Sequence, residues 1–519
     1  MNRLSLWLAT IAIPSLLIAH GYALGRAPQD DAFISFRYAK NLIDGQGLVY
    51  NHGDRVEGYT NFLWTIAMTP IIAAGVDPFE GSRALGMLFA TATVLLLLLA
   101  PHVGPAEGAA RRRWVGAAAT LLLVSSSSFV AEAVGGLETA LFSFLVTALL
   151  LRVEYEEGRG RGGVLSGLLG GLAALTRPEG ALVLLGTSFH RIFPVPFGPP
   201  RAAPRRLLPP ALVSAAVCMS FALSHRLVAW AYYGRFLPNT FYAKVGGGWS
   251  ALGRGALYAG DFILAWLPVL VLALFGLVPL RGWQRTLRAG FLAGYAAYII
   301  AVGGDYKWTL RFFVPLMPVT ALLAAEGMGS LAALAERPAS RRALACALAG
   351  GMAILIYLSS HPAREFCEIR RFRYERDRIA GTWFAQNAPP GSLLATVNAG
   401  VLPYYAGLPT IDMLGLTDSH IAHTSMPAMG VGEAGHEKAD GGYVLSRRPE
   451  IVLFHHTRVT DGPVPAEEAG RLSQFVAETQ LWQNPILHQE YEWVSVPLSG
   501  YSLNFFRRRS TPAVSSSSP

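Results

Sequence analysis

Lysine, cysteine and charge of either sign are what this sequence lacks. Only 15% of its 519 residues are charged, against 52% hydrophobic, a balance that excludes an ordinary soluble enzyme and fits a polytopic membrane protein. Cys218, Cys346 and Cys367 are too few and too scattered for a disulfide framework or a zinc site. No HExxH, paired-cysteine or calcium-loop pattern occurs, so no cofactor is expected; a divalent ion at the acidic pair described below is the one metal chemistry left open. The lysines are Lys40, Lys244, Lys307 and Lys438, and the formal charge of +9 comes almost wholly from arginine. The arginines cluster between apolar runs without interleaved aromatics, which reads as membrane topology and excludes nucleic acid as a partner.

Apolar runs recur from Leu4 to Leu358 and then stop. Candidate spans are 4–24, 79–100, 114–131, 137–152, 162–176, 179–193, 208–231, 258–280, 288–303, 312–334 and 342–360, about eleven transmembrane helices. The first resembles a signal peptide behind Arg3 but lacks a small-residue cleavage site, and is read as an uncleaved span. Arginine clusters at 111–113, 152–161, 191–206, 281–288 and 337–342 mark cytoplasmic loops. They agree only if a further apolar run, Asn61 to Val76 with Pro70 inside it, returns to its own side as a re-entrant or juxtamembrane helix. Residues 25–78 are then the first external loop, every lysine is external, and so is the C-terminal third. The Pro- and Arg-rich stretch 193–210 is a cytoplasmic connector.

Residues 361–508 have a mixed character. A helical ERDRIAGTWFAQ, a turn at Pro389-Pro390-Gly391 and strand-like SLLATV, RRPEIVLFH, YEWVSVPL and YSLNFF predict a soluble α/β domain on the external side. The tail 509–519 is expected to be disordered. No repeat of fixed period is present.

Polar residues concentrate in the loops, above all in Asp30 to Trp64, DDAFISFRYAKNLIDGQGLVYNHGDRVEGYTNFLW. Asp30 and Asp31 precede an amphipathic helix with Ile34, Tyr38 and Leu42 on one face and Arg37 on another. One acid suits a helix cap worth about 1 kcal/mol; a carboxylate fixed at a membrane surface also suits a general base. Downstream, turn residues bring His52, Arg55 and Glu57 together, as a salt-bridged loop or as groups that, with Arg37, orient a substrate. Arg177 and Glu179 of TRPEG offer the same choice between mutual pairing and substrate orientation. In GGDYKWTLRFF, Lys307 and Arg311 are four residues apart and form a candidate phosphate clamp beside Asp305; Lys244 is a further juxtamembrane cation.

The stretch from Asp30 to Trp64 resembles the first external loop of bacterial GT-C glycosyltransferases, specifically those similar to the terminal β-(1→2) arabinofuranosyltransferases. GGLET, ALTRPEG, LPNTFYAK, GGDYK…RFF…P and DMLGLTDSHIAH agree with the same group in the same order. The resemblance implies a transmembrane catalytic domain over 1–360, in the cytoplasmic membrane of a bacterium, with an external active site. It implies a polyprenyl-phosphate-linked sugar as donor, a glycan or lipid as acceptor, Asp30 or Asp31 as base, and phosphate binding by Lys244, Lys307 and Arg311. The wider superfamily often has Asp-Glu at the first-loop motif, whereas this chain has Asp-Asp. A lipid-linked sugar transporter or flippase is the competing reading; it would place ionisable residues midway through helices in repeated halves.

Overall fold

The computed structural model describes residues 3–99, 109–193, 204–246, 248–427 and 429–509. Most of the expected connector and nearly all of the expected disordered tail lie outside these residues. The helices in chain order are α1 Arg3–Leu24, α2 Asp30–Ile43, α3 Phe62–Ala73, α4 Pro78–Leu99, α5 Ala109–Ser125, α6 Ser127–Val134, α7 Thr139–Arg159 and α8 Val164–Thr176. They continue with α9 Glu179–Ile192, α10 Pro204–Tyr233, α11 Asn239–Lys244, α12 Gly248–Leu277, α13 Gly282–Ala301, α14 Met317–Ala332, α15 Pro338–Ser359 and α16 His361–Asn387.

Among the described residues, six helical stretches are long and apolar enough to cross a membrane: Trp7–Leu24, Pro78–Leu99, Leu208–Tyr233, Gly248–Leu277, Arg311–Ala332 and Pro338–Ser359. A seventh is added if α5 and α6, bent by 69° at Ser126, form one broken span. Every predicted span falls on helical structure, with 114–131 divided between α5 and α6, yet by length and composition the count of eleven is not reached among the described residues. With 12 residues, α3 rises about 18 Å against a hydrocarbon layer of about 30 Å, as expected for a run that does not cross. The same arithmetic applies to α8 and α9, with 13 and 14 residues, which the hydropathy pattern reads as spans.

The chain divides into two compact units. The first comprises Met1–Ala32, Thr60–Leu237 and Gly247–Arg371; the second comprises Phe33–Tyr59, Pro238–Gly246 and Phe372–Pro519. This partition does not follow the predicted boundary at residue 360, because half of the first loop and nearly all of the LPNTFYAK segment group with the C-terminal third.

The first unit is a helical body with one continuous apolar core that includes Trp266, Phe262, Phe313 and Met317. Its closest helix pairing depends on glycine. A Cβ at Gly276 of α12 would stand 1.8 Å from the Leu323 carbonyl oxygen, and one at Gly327 of α14 would stand 2.0 Å from that of Leu272. Only residues without side chains let the two backbones approach so closely, a packing mode favoured where helices gain little from burying apolar surface.

The second unit is built on a mixed sheet of β1 Leu394–Thr396, β2 Thr410–Asp412, β3 Ile451–Val452, β4 Val459–Thr460, β5 Tyr491–Leu498 and β6 Tyr501–Arg508, in the order β2-β1-β3-β6-β4, with β5 also on β6. The first three are parallel, and β6 pairs antiparallel with β3, β4 and β5. The sequence predicts β1, β3, β5 and β6; the very short β2 and β4 escape it. Phe33 packs against Tyr374, Tyr404 and Tyr405 at ring separations of 5.5–5.9 Å, which ties the first-loop segment to this unit.

Gly276→Val should therefore separate α12 from α14, costing about 3 kcal/mol or more. Thermal unfolding in detergent should show a clear loss of stability, whereas Gly350→Ala, with nothing within 4 Å of the added carbon, should leave the midpoint unchanged.

Candidate active site

The first unit contains Asp30, Asp31, Arg177, Glu179, Lys307 and Arg311, and Lys307 and Arg311 meet at the first turn of α2. Asp30 and Asp31 occupy that turn, where the positive end of the helix dipole favours carboxylates. Lys307, only 3% exposed, donates to Asp31 Oδ2 at 2.7 Å and to Gln29 Oε1 at 2.7 Å. Arg311 Nη1 lies 3.5 Å from the same Asp31 oxygen, and its Nε lies 2.8 Å from Asp305 Oδ2. The two cations of the predicted clamp therefore share one carboxylate oxygen.

The backbone that carries them is strained where it turns. Gly304 has φ +68°, and a Cβ there would stand 2.7 Å from Tyr258. Leu310 adopts a left-handed φ of 55° although it is not glycine, at a cost of about 1–3 kcal/mol that the surrounding packing must offset. This conformation starts the 3-10 turn Arg311–Leu316. Tyr306 is half-buried between these features; desolvation, and then the Asp31, Asp305 and Asp30 carboxylates, push its phenol well above the usual range. It is thereby kept as a neutral hydroxyl.

Beneath the clamp lies a carboxylate that sequence reasoning missed. Glu132 of α6 is fully buried and accepts hydrogen bonds from Gln29 Nε2 (2.9 Å), Thr139 Oγ1 (3.1 Å) and Thr309 Oγ1 (2.7 Å), with Arg370 Nη1 at 3.9 Å. Gln29 thus bridges Lys307 and Glu132, and its own backbone N–H donates to Gly135 O at 2.9 Å. The available signal was a single acid inside the apolar run SSFVAEAV, which by itself marks a functional or structural site in a membrane helix.

Arg177 forms the second centre. It pairs with Glu179 at 2.6 Å and with Glu138 of GGLET at 3.0 Å. Glu138 also accepts from Asn61 Nδ2 at 2.8 Å. Burial alone would push the Arg177 guanidinium down, but the Glu179 and Glu138 carboxylates outweigh it and hold the group well above its ordinary value. The two centres meet at Phe312, whose ring lies 5.0 Å from the Arg177 guanidinium and 5.1 Å from that of Arg311, within cation–π range.

The remaining expected residues, Arg37, His52, Arg55, Glu57 and Lys244, belong to the second unit. Arg37 is buried, and Nε, Nη1 and Nη2 donate to Tyr50 O (2.8 Å), Pro403 O (3.1 Å) and Leu408 O (2.7 Å). A guanidinium committed in this way holds the loop. Glu57 is buried and its carbonyl accepts from Asn239 N at 2.9 Å, whereas His52, Arg55 and Lys244 are exposed. Among the described residues no group of three or more His, Cys, Asp or Glu side chains is placed to hold a metal.

Against known proteins, a family model described as a domain of unknown function, DUF8728, matches residues 368–509. A terminal β-(1→2)-arabinofuranosyltransferase of Mycobacterium tuberculosis is 42% identical over 65 residues, which is 12% of this chain and 10% of the relative's own length. Among solved structures, ArnT from Cupriavidus metallidurans aligns in its apo state with a TM-score of 0.60 at 12% identity, covering 97% of this chain and 98% of ArnT. The undecaprenyl phosphate-bound form aligns with a TM-score of 0.58 at 12% identity, over 96% and 98%. The archaeal oligosaccharyltransferase AglB from Archaeoglobus fulgidus, in complex with an inhibitory peptide and a dolichol-phosphate, aligns with a TM-score of 0.52 at 13% identity, over 97% and 75%. The chain thus has the fold of GT-C glycosyltransferases, a multi-pass helical membrane body with a C-terminal sheet domain.

Glu132→Ala should strand the donors of Gln29, Thr139 and Thr309 and cost about 3–5 kcal/mol, whereas Glu132→Gln, which keeps an acceptor, should cost about 1–3 kcal/mol. Thermal unfolding of the two variants, each against wild type, checks this order.

Proposed function

We propose that this protein is a membrane glycosyltransferase that moves a sugar, with arabinofuranose the candidate suggested by the arabinofuranosyltransferase match, from a polyprenyl-phosphate donor to a cell-envelope glycan or lipid acceptor. The reading rests above all on one observation: two buried cations, Lys307 and Arg311, converge on a carboxylate at the start of α2, in a fold shared with a protein solved with undecaprenyl phosphate. In this proposal the site lies on the external face of the bacterial cytoplasmic membrane, where a donor anchored by its lipid presents its phosphate at the interface.

The proposed reaction is a single displacement. The acceptor hydroxyl oxygen bonds to the anomeric carbon as the bond from that carbon to the phosphate oxygen breaks. The electron pair leaves with polyprenyl phosphate, and the hydroxyl proton passes to a first-loop carboxylate. Inversion at the anomeric carbon follows from the single step. Lys307 and Arg311 bind the donor phosphate and stabilise the charge that grows as it leaves. Asp30 is the proposed base, because Asp31 Oδ2 is already engaged by both cations. Arg177, fixed by its two glutamates, orients the donor without titrating, and Lys244 is a further candidate phosphate ligand. Arg37, committed to backbone carbonyls, is assigned to holding the loop, and His52, Arg55 and Glu57 remain candidates for acceptor orientation.

Asp30→Asn should lower transfer to a cell-envelope acceptor by about 10²–10⁴-fold with the thermal midpoint unchanged; full turnover would reject the base assignment. Lys307→Ala and Arg311→Ala should raise the KM for lipid-linked donor by about tenfold or more while leaving that for acceptor nearly unchanged. Equal effects on both substrates would mean that these residues only hold the loops.

A further inference from the structure

The second unit contains a basic cavity that the proposed reaction does not use. It has a volume of about 150 Å³ and is lined by Phe372, Arg373, Arg376, His455, His456 and Arg458, with Asp377 as the acid among them. Asp377 is committed to Arg458 through two hydrogen bonds of 2.6 and 2.7 Å. Arg376 donates through Nη1 to Val459 O at 3.0 Å and through Nη2 to Asp461. Its guanidinium lies over Phe372 at 3.7 Å.

One donor of the lining, Arg376 Nε, is buried and has no hydrogen-bond partner among the described residues. Buried polar groups are normally satisfied, so such an orphan points to an absent partner. Arg373 is exposed and makes no ion pair among the described residues. Burial, and then Arg458 and Arg373, hold the His455 imidazole well below its ordinary range, so it is neutral. Of the three guanidinium groups, Arg458 is paired with Asp377 and Arg376 with Asp461, so Arg373 carries the positive charge left uncompensated in this half-enclosed space.

We infer that this cavity is a second anion site, built for a phosphate-type oxyanion. The donors left for it are on α16, Arg373 and the buried Arg376 Nε, because Arg458 is spent on Asp377 and the His455 carbonyl and His456 on Gln474. Two guanidinium groups one helical turn apart suit an oxyanion with several acceptor oxygens. The volume admits such a headgroup but not a sugar together with its lipid carrier. Phe372 at the rim, half exposed, can meet an apolar or sugar portion beyond the phosphate. The oxyanion can come from an anionic lipid headgroup or from a soluble phosphorylated compound.

Arginine-selective modification by phenylglyoxal tests the site in the full-length protein in nanodiscs, with each arginine resolved by peptide mass spectrometry. Inorganic phosphate at constant ionic strength should slow modification of Arg373 about fivefold or more, while Arg448, exposed and paired with Glu490, keeps its rate. Phosphatidylcholine discs with and without phosphatidylglycerol distinguish the sources. Protection by phosphatidylglycerol alone supports a lipid headgroup; protection by added phosphate alone supports a soluble ligand. Arg376→Gln should weaken the protection of Arg373 about tenfold. Because Arg376 also holds the Val459 carbonyl, Arg373→Gln provides a second variant, in which protection of Arg376 should weaken likewise. An Arg373 that phosphate and anionic lipid leave equally reactive, or protection unchanged in both variants, overturns the proposal.

Discussion

The contact between Lys307 and Asp31 is the constraint on which the candidate site depends. A lysine 3% exposed in a membrane protein is tolerable only with a carboxylate in direct contact, and Asp31 supplies it from a residue 276 positions away in sequence. The other contacts in the site maintain that one. Gln29, just before α2, donates to Glu132 and accepts from Lys307, so the loop 303–311 and the start of α2 are held to the same buried acid. Thr309 donates to Glu132 as well. The left-handed Leu310 then turns Arg311 back toward Asp31 and Asp305. Removing any one of these leaves a charge or a donor buried without its partner, which costs more than the pair contributes.

The site also has an electrostatic balance that bears on how an anion would enter and leave. In this structure Asp31 occupies the position relative to Lys307 and Arg311 that a phosphate takes in the proposed reaction. A donor phosphate must then displace or share that carboxylate, which weakens its binding. Once the sugar is transferred, however, the product phosphate carries more charge, and a returning Asp31 lowers the cost of its release. An internal anion of this kind trades ground-state affinity for turnover, in keeping with the rule that binding substrate and transition state equally well does not raise kcat.

Much of the site was legible because charge is so rare in this chain. Asp30, Asp31, Arg177, Lys307 and Arg311 stand out against an apolar background, and their side chains do gather in one unit. What could not be read was which of the loop charges would end in the other unit. Arg37 looks like its neighbours in sequence, but its partners are the carbonyls of Pro403 and Leu408, far along the chain and without a local signal. Phe33 and the aromatics of 374–405 are likewise unremarkable residues until they pack together. Hydropathy located the helices but could not measure them: α8 and α9 read as spans on their apolar composition although they have only 13 and 14 residues, and the break between α5 and α6 is hidden in the run Ser125–Ser128. Glu132 was visible as a lone acid, yet its importance rests on Thr139, Thr309 and Arg370, which only the fold brings to it.

The two adjacent aspartates show how a repeated residue type can divide its work. They share one helical turn and the same favourable dipole, so neither sequence nor backbone separates them. Their neighbours do. Asp31 is bound to both cations of the clamp through a single oxygen, which suits an anion that positions and exchanges. A base must instead keep a lone pair directed at the incoming hydroxyl, without two cations competing for it. Asp30, partly exposed at the same turn, is the carboxylate proposed for that role. The buried chain from Glu132 through Gln29 to Lys307 thus holds the lysine to Asp31, and the proposed division of roles between the two aspartates depends on it.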